Sequence, residues 1–477
     1  MMINSKLIEL ASKIPKRQFK RLQDFLESPY FNKKEELIAL YHFLASFQFD
    51  FTHEKLTKAN AFIYVYGKHK PYDEKEMGYM MSQLTQLIND FLAHEQLRND
   101  DMMKSQLLMP LYNDWDLDKS FSEILKKANK FQKKKRGKDS DYYFNQFKIY
   151  LNEAEQFAKK QVHAQDVALQ KAIDFLDYYY IATKLQYSCA ILSRSLAAKN
   201  YQVKLIQELK KYLQNNSHEN HYSIHIYHTI LQTVLDSDNG IHFIKLKKLM
   251  EKYIHHFEPE EATGIYTHAV NYCVRRINNG QSHYAAELLT LYKDLLKNRL
   301  IFEGNYLSQW NYTNIVSIAI RNEEFEWTKE FIRAYKTSLD PVFRKNAYTY
   351  NLAYLFFHQK EYDKVLELLP KVEFKDVLYG VSARLLLIKS YYEQNYVMPF
   401  ASLVDSFKMY LKRNKIISDD MRKRHLNFLK YIDAVQKELK GNNVKLLKLK
   451  QKIEADKQTI NKAWLLEKVN AKIKIRK

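Results

Sequence analysis

The sequence predicts an all-α protein, on three observations. Only nine glycines and eight prolines occur in 477 residues, about 4% of the chain against about 12% in an average protein. Sheets need such residues at every reversal and dinucleotide folds need glycine-rich loops, whereas both residues cost stability inside a helix. Apolar residues recur at helical spacing through most of the chain. A polar turn followed by an aromatic residue recurs through the middle of it at nearly constant intervals. A chain of this length exceeds a single hydrophobic core, so several domains or a repeat array is expected.

From the N-terminus, Leu7, Leu10, Ile14, Phe19, Leu22, Phe25 and Leu26 mark a helical stretch over residues 5–27. Ser28-Pro29-Tyr30-Phe31-Asn32 ends it, because proline disfavours helical geometry in the residue before it. Glu35 to Phe47 and Tyr79 to Leu92 are further amphipathic helices, and every proline is expected at or near a boundary. Residues 1–100 make a helical N-terminal region, followed by a helical connector with a basic loop over 101–140.

The repeating turns are Lys199-Asn200-Tyr201, Asn239-Gly240-Ile241-His242-Phe243, Gln281-Ser282-His283-Tyr284, Glu323-Glu324-Phe325, Lys360-Glu361-Tyr362 and Gln394-Asn395-Tyr396. Their aromatics stand 42, 41, 41, 37 and 34 residues apart, the period of stacked helical pairs. Residues 141–408 are therefore expected to form a right-handed α-solenoid of helix–turn–helix units, closed by a basic helical cap over 409–477.

The unit running from Ala347 to Leu369 resembles a tetratricopeptide repeat. Leu352-Ala353 is similar to that family's Leu-Gly pair, Phe356 to the aromatic three residues on, and Tyr362 to the turn aromatic. Lys360 stands where the family often has glycine, Val365 where it has alanine, and Pro370 cuts the second helix early. Leu26 to Asn32, Tyr410 to Ser418 and Trp464 to Lys468 resemble segments of uncharacterised helical-repeat proteins of Bacteroidota. The first resemblance implies a concave groove lined by Tyr350, Asn351, Tyr354 and Phe357, with Asn314, Ser317, Arg384 and Ile388 in the flanking units. The Lys/Asn pattern that clamps a carboxylate in some members is missing, so aromatic and amide contacts would hold a bound peptide.

The formal charge is +21, and residues 408–477 carry 21 Lys and Arg against 7 Asp and Glu. Two basic patches follow: Lys133, Lys134, Lys135 and Arg136 in the connector, and Arg422, Lys423, Arg424, Lys448, Lys450 and Lys452 in the cap. Arg422 to Arg424 are expected to precede a helix. Lys448, Lys450 and Lys452 ride with Lys445 on another, whose apolar positions are Leu446, Leu449 and Ile453. Such an excess suits an acidic partner, RNA among them, through phosphate contacts of low sequence specificity.

Cys189 and Cys273 are too isolated for a disulfide framework or a metal site. His218, His221, His225 and His228 share a narrow helical stripe whose spacing suits a metal, but the apolar residues Ile224, Tyr227, Leu231, Val234 and Leu235 lie about 120° round. A solvated polar face or a groove lining is the expectation, ahead of a metal or pH-sensing site. The phosphate-binding loop, the dinucleotide fingerprint, the paired-histidine metalloprotease motif and the Gly-x-Ser-x-Gly elbow do not occur. No enzyme, cofactor or metal is expected. Lys6, Lys13 and Lys16 interrupt the apolar stretches of Met1 to Phe19, which excludes a signal-peptide core. No segment approaches the ~20 apolar residues of a membrane helix. The expectation is a cytoplasmic, non-enzymatic scaffold that holds a protein segment in its groove, with RNA binding through the cap as the rival.

Overall fold

The structure, a computed structural model, describes residues 2–47, 50–135, 137–160, 166–195, 202–216, 218, 220–371, 377–438 and 443–473. The described residues are 78% helical, above the roughly 70% that turn scarcity and period imply, and the protein is all-α. Its helices are α1 (Lys6–Ala11), α2 (Phe19–Glu27), α3 (Glu35–Ser46), α4 (Lys58–Tyr66), α5 (Glu74–Asn99), α6 (Asp101–Asp114), α7 (Asp118–Lys134) and α8 (Ser140–Lys159). They continue with α9 (Val167–Ser195), α10 (Ile206–Asn215), α11 (Tyr222–Leu235), α12 (Gly240–Tyr253), α13 (Pro259–Asn278), α14 (Tyr284–Lys297), α15 (Gln309–Arg321) and α16 (Phe325–Ala334). The last are α17 (Pro341–His358), α18 (Tyr362–Leu368), α19 (Val377–Glu393), α20 (Val397–Arg413), α21 (Asp419–Lys437), α22 (Asn443–Ala455) and α23 (Lys462–Lys472). Among the described residues the only sheet is a hairpin of β1 (Phe302–Glu303) and β2 (Tyr306–Leu307). No described helix is long and apolar enough to cross a membrane.

Two compact units result, residues 1–187 with 207–225 and residues 188–206 with 226–477. The division falls within α9 and α11, inside the stretch expected to be one solenoid.

In the first unit α1 to α5 close on one core that includes Leu7, Leu26, Leu40, Phe62, Leu84 and Ile88. The 5–27 stretch is two helices, because Pro15 leaves the chain extended between them. After α2, Phe31 stacks on Phe25 at 4.1 Å, and the Asn32 side-chain amide donates to the carbonyls of Leu26 (2.9 Å) and Lys34 (3.1 Å). One proline departs from the boundary rule: Pro110 lies inside α6.

In the second unit each helix from α13 to α21 packs on its neighbour in sequence, and α15 also on α17, and α17 on α19. Side chains cap the starts: Asn239, Ser308, Asp340 and Ser418 accept from first-turn amides, and Pro259 and Pro341 open α13 and α17 where no N–H is needed. The turns repeat in geometry as well as in sequence. Glu323, Lys360 and Asn395 adopt φ of 60°, 63° and 57°. The next residues, Glu324, Glu361 and Tyr396, donate back to Ala319, Phe356 and Tyr391 at 3.1, 2.9 and 2.9 Å. This bond, from the third residue past the helix to a carbonyl of its last turn, closes the helix and lets its partner start at the next residue. The turn at Lys199, Asn200 and Tyr201 lies outside the described residues.

Cys189 and Cys273 are free and buried, and burial pushes both thiols up.

Candidate binding cleft

Helix α17 builds the centre of the candidate site. At 100° per residue, Tyr350, Tyr354 and Phe357 fall on one side of it, while Ala347, Asn351 and Leu355 turn into the core. Tyr350 and Tyr354 stack at 6.1 Å with 16° between their rings. Their hydroxyls bond to Ser382 on α19 and Ser317 on α15, and burial raises both phenols above their usual range. The aromatic row continues at its other end, where Tyr379 meets Tyr350 edge-on at 5.4 Å and stacks on Trp310 at 5.6 Å.

Tyr350, Tyr354 and Phe357 line a cleft of about 780 Å³ whose far wall is α23, with Trp464, Glu467 and Lys468. The Trp464 indole donates to Glu393 Oε1 at 3.0 Å, and Lys468 Nζ reaches the same carboxylate at 2.7 Å. Leu465 and Val469 are fully buried in the core beneath. Helix α23 is therefore part of the cleft wall. Lys389 lies in the floor, with Nζ 5.0 Å from the Phe357 ring and 5.1 Å from that of Trp464, and donates to Asn461 at 3.2 Å. Burial lowers its pKa to about 8 against the pull of Glu393.

Tyr354 and His358 also border a second cleft of about 530 Å³, which takes in Asn314 and Ser317. Asn314, Val274 and Tyr292 in turn border a third of about 770 Å³ between α13 and the hairpin. Adjacent concavities thus share residues, the third and second through Val274, Tyr292 and Asn314 on α13, α14 and α15, and the second and first through Tyr354 and His358 on α17.

Five of the eight groove positions read from the sequence, Asn314, Ser317, Tyr350, Tyr354 and Phe357, meet on these clefts. Three do not. Asn351 is fully buried and donates to Thr313 Oγ1 at 3.0 Å and to the Ala347 carbonyl, tying α17 to α15. Ile388 is fully buried in the core with Phe400 and Val404. Arg384 turns to α20, its guanidinium 4.0 Å from the Tyr410 ring and bonded to the Gly380 carbonyl. Lys389, Trp464 and the hairpin residues Phe302 and Glu303 were not read from the sequence. Glu303-Gly304-Asn305-Tyr306 did carry a signal, the two-residue turn of a tight hairpin.

The basic patches are less open than their charge implies. Arg422 lies in the first turn of α21, not before it, and donates to the carbonyls of Leu411 (2.9 Å), Asn414 (3.3 Å) and Ile417 (2.9 Å), besides pairing with Asp419. Arg424 pairs with Asp420 at 2.8 Å, and Lys450 approaches Glu454 at 4.0 Å. Lys423, Lys448 and Lys452 are exposed, as are Lys133 and Lys134 at the end of α7. Lys135 is bound to Asp139 at 2.9 Å, and Arg136 lies outside the described residues.

The histidine stripe is not a solvated face. His218 and His221 precede α11, and all four rings are half-buried. His221 stacks on Tyr178 at 3.9 Å and bonds through Nδ1 to the Tyr143 hydroxyl at 3.0 Å. Burial, with Lys138 and His218 adding to it, takes its pKa down to about 4. Of the apolar positions beside the stripe, Leu235 is exposed at the end of α11. Among the described residues no three His, Cys, Asp or Glu side chains are placed to hold a metal.

No family model matches this chain, and no curated protein or solved structure matches it either.

Proposed function

We propose that the helix pairs of the second unit form a right-handed solenoid of tetratricopeptide-like repeats, a non-enzymatic scaffold that holds a segment of a partner protein in its groove. The observation that carries this reading is the run of three clefts joined through Asn314 and Tyr354 across four successive first helices. Their walls combine aromatic faces with side-chain amides and hydroxyls, which suits a chain of mixed composition. Cap residues in the wall make the end of the groove at Trp464 part of the same site.

Affinity capture from native lysate with nuclease, using the wild type, Asn314→Arg and Tyr354→Ala, tests the reading. Asn314 is exposed, so Asn314→Arg should shift stability by no more than ~0.5 kcal/mol while the captured proteins are lost. Identical capture by all three proteins would refute the groove. A loss of capture by Tyr354→Ala that only tracks its thermal midpoint would make that ring a core residue.

A further inference from the structure

The hairpin between α14 and α15 is the one described sheet in a helical protein, and its two edges are not equivalent. Glu303 and Tyr306 flank the two-residue turn Gly304-Asn305, and a turn of that length closes on a pair that exchanges both backbone hydrogen bonds. Phe302 and Leu307 are then the next, non-hydrogen-bonded pair, so their N–H and C=O groups point away from each other. On the Leu307 side the edge is filled: its N–H donates to the Ser338 carbonyl at 2.8 Å, and it pairs in parallel with Leu339. On the Phe302 side no strand lies among the described residues.

What lies beside that edge is the 770 Å³ cleft, which residues of β1 line and residues of β2 do not. Thr267 and Asn271 of α13 and Asn314 of α15 line the same cleft. Two residues before Phe302 the open edge stops, because Leu300 donates to Leu295 at 2.9 Å and accepts from Thr263 Oγ1 at 3.0 Å. The main-chain donor and acceptor of Phe302 thus lie at the edge of this cleft.

We propose that a segment of a partner protein enters this cleft in extended conformation as an added strand, exchanging main-chain hydrogen bonds with the N–H and C=O of Phe302. The inference rests on the groove reading and adds to it the segment's conformation and register. A strand paired at Phe302 directs alternate side chains toward the α13 wall, where Thr267 and Asn271 offer hydrogen bonds. Recognition through the main chain tolerates many sequences but requires a free amide at the paired residue, so proline is excluded there.

Random phage-displayed peptides selected on the full-length protein supply the probe. The selected peptide is measured against the wild type, Phe302→Leu, Phe302→Pro and Asn314→Arg. Proline is tolerated at the first residue of an edge strand and removes only the N–H, so Phe302→Leu controls for the ring. Binding should be unchanged in Phe302→Leu and weaker by about tenfold in Phe302→Pro, the worth of one backbone hydrogen bond. Methylating the peptide's amides one at a time should weaken binding at the paired residue and spare its two neighbours. This scan uses the wild-type protein and decides the matter even if Phe302→Pro fails to fold. Peptides that lose Asn314→Arg but bind Phe302→Pro like the wild type, with no alternation in the scan, overturn the added strand and leave the groove standing. Peptides indifferent to both positions, or none retained, overturn both.

Discussion

Glu323, Lys360 and Asn395 sit in the left-handed region, where a side chain crowds the following carbonyl at a cost of about 1–2 kcal/mol. The helix-closing bonds behind them hold the strain in place. Glycine at these positions should therefore stabilise the protein: Glu323→Gly and Lys360→Gly by about 0.5–1 kcal/mol each, after the entropy that glycine adds to the unfolded chain. Asn395→Gly should gain less, since asparagine tolerates this geometry. Urea midpoints at constant slope report the change, and a lower midpoint for Glu323→Gly would contradict it. His221 carries a different kind of residue-scale stress. Its folded pKa of about 4 lies below the ordinary 6.5, so the unfolded chain takes up the proton first. Stability from this group is whole above pH 6.5 and is lost as pH falls from there to about 4, on the order of 2 kcal/mol once the full shift is discounted for the partial exposure of the ring. His268 is lowered to about 4 by burial and adds a loss over the same window. Thermal melts between pH 7 and 4 should flatten in His221→Asn relative to the wild type, and parallel profiles would remove His221 as a cause.

At the scale of elements, Arg422 closes the connection from α20 to α21 by bonding three carbonyls around it. Arg422→Ala should cost about 2 kcal/mol, because those charged bonds disappear together. Arg422→Lys should restore little of it, since a single ammonium cannot reproduce the planar fork. A full rescue by lysine would show that charge alone matters there. The same residue marks what was legible beforehand. The resemblance to a tetratricopeptide repeat implied Tyr350, Tyr354 and Phe357 as groove positions on α17, and the turn aromatics located the starts of α14, α16 and α18. Asn351 is one residue from Tyr350, and that single step of 100° turns it from the cleft into the seam with α15. Ile388 and Arg384 went astray for a related reason: α19 is packed by α17, α18 and α20, which leaves it a narrow free face. Partners 5 to 11 residues upstream in a turn gave Arg422 no sequence signature, since every one of them is a backbone carbonyl. The hairpin was overlooked because scarce glycine argues against sheets in general, while a two-residue turn needs only the single Gly304.

Across the whole molecule the charge of +21 remains the least absorbed property, with two-thirds of it in residues 408–477. Much of that tract is engaged in holding the cap together. Arg422 is anchored to carbonyls, Arg424 to Asp420, and Lys468 and Lys472 to groups in the second unit. Reversing Arg422 would consequently confound binding with unfolding, so a test of the cap as a phosphate-binding surface belongs on Lys423, Lys448 and Lys452, which are exposed. Charge reversal at these three changes the local charge by six units and leaves the buried Leu446 and Ile453 untouched. The substitutions should shift stability by no more than ~0.5 kcal/mol per position. If RNA binds there, the slope of log affinity against log salt shrinks by about one for each phosphate no longer bound, and affinity at low salt falls by orders of magnitude. If the groove is the working surface, the triple variant retains its protein partner across the same salt range, because apolar and amide interactions are weakly screened. The expected outcome is retention of the protein partner with a reduced, sequence-independent retardation of RNA. A wild-type protein that retards no RNA at low salt would dispose of the cap as a nucleic-acid surface. A triple variant that loses its protein partner as salt rises would place the binding energy in the cap rather than beside Tyr354.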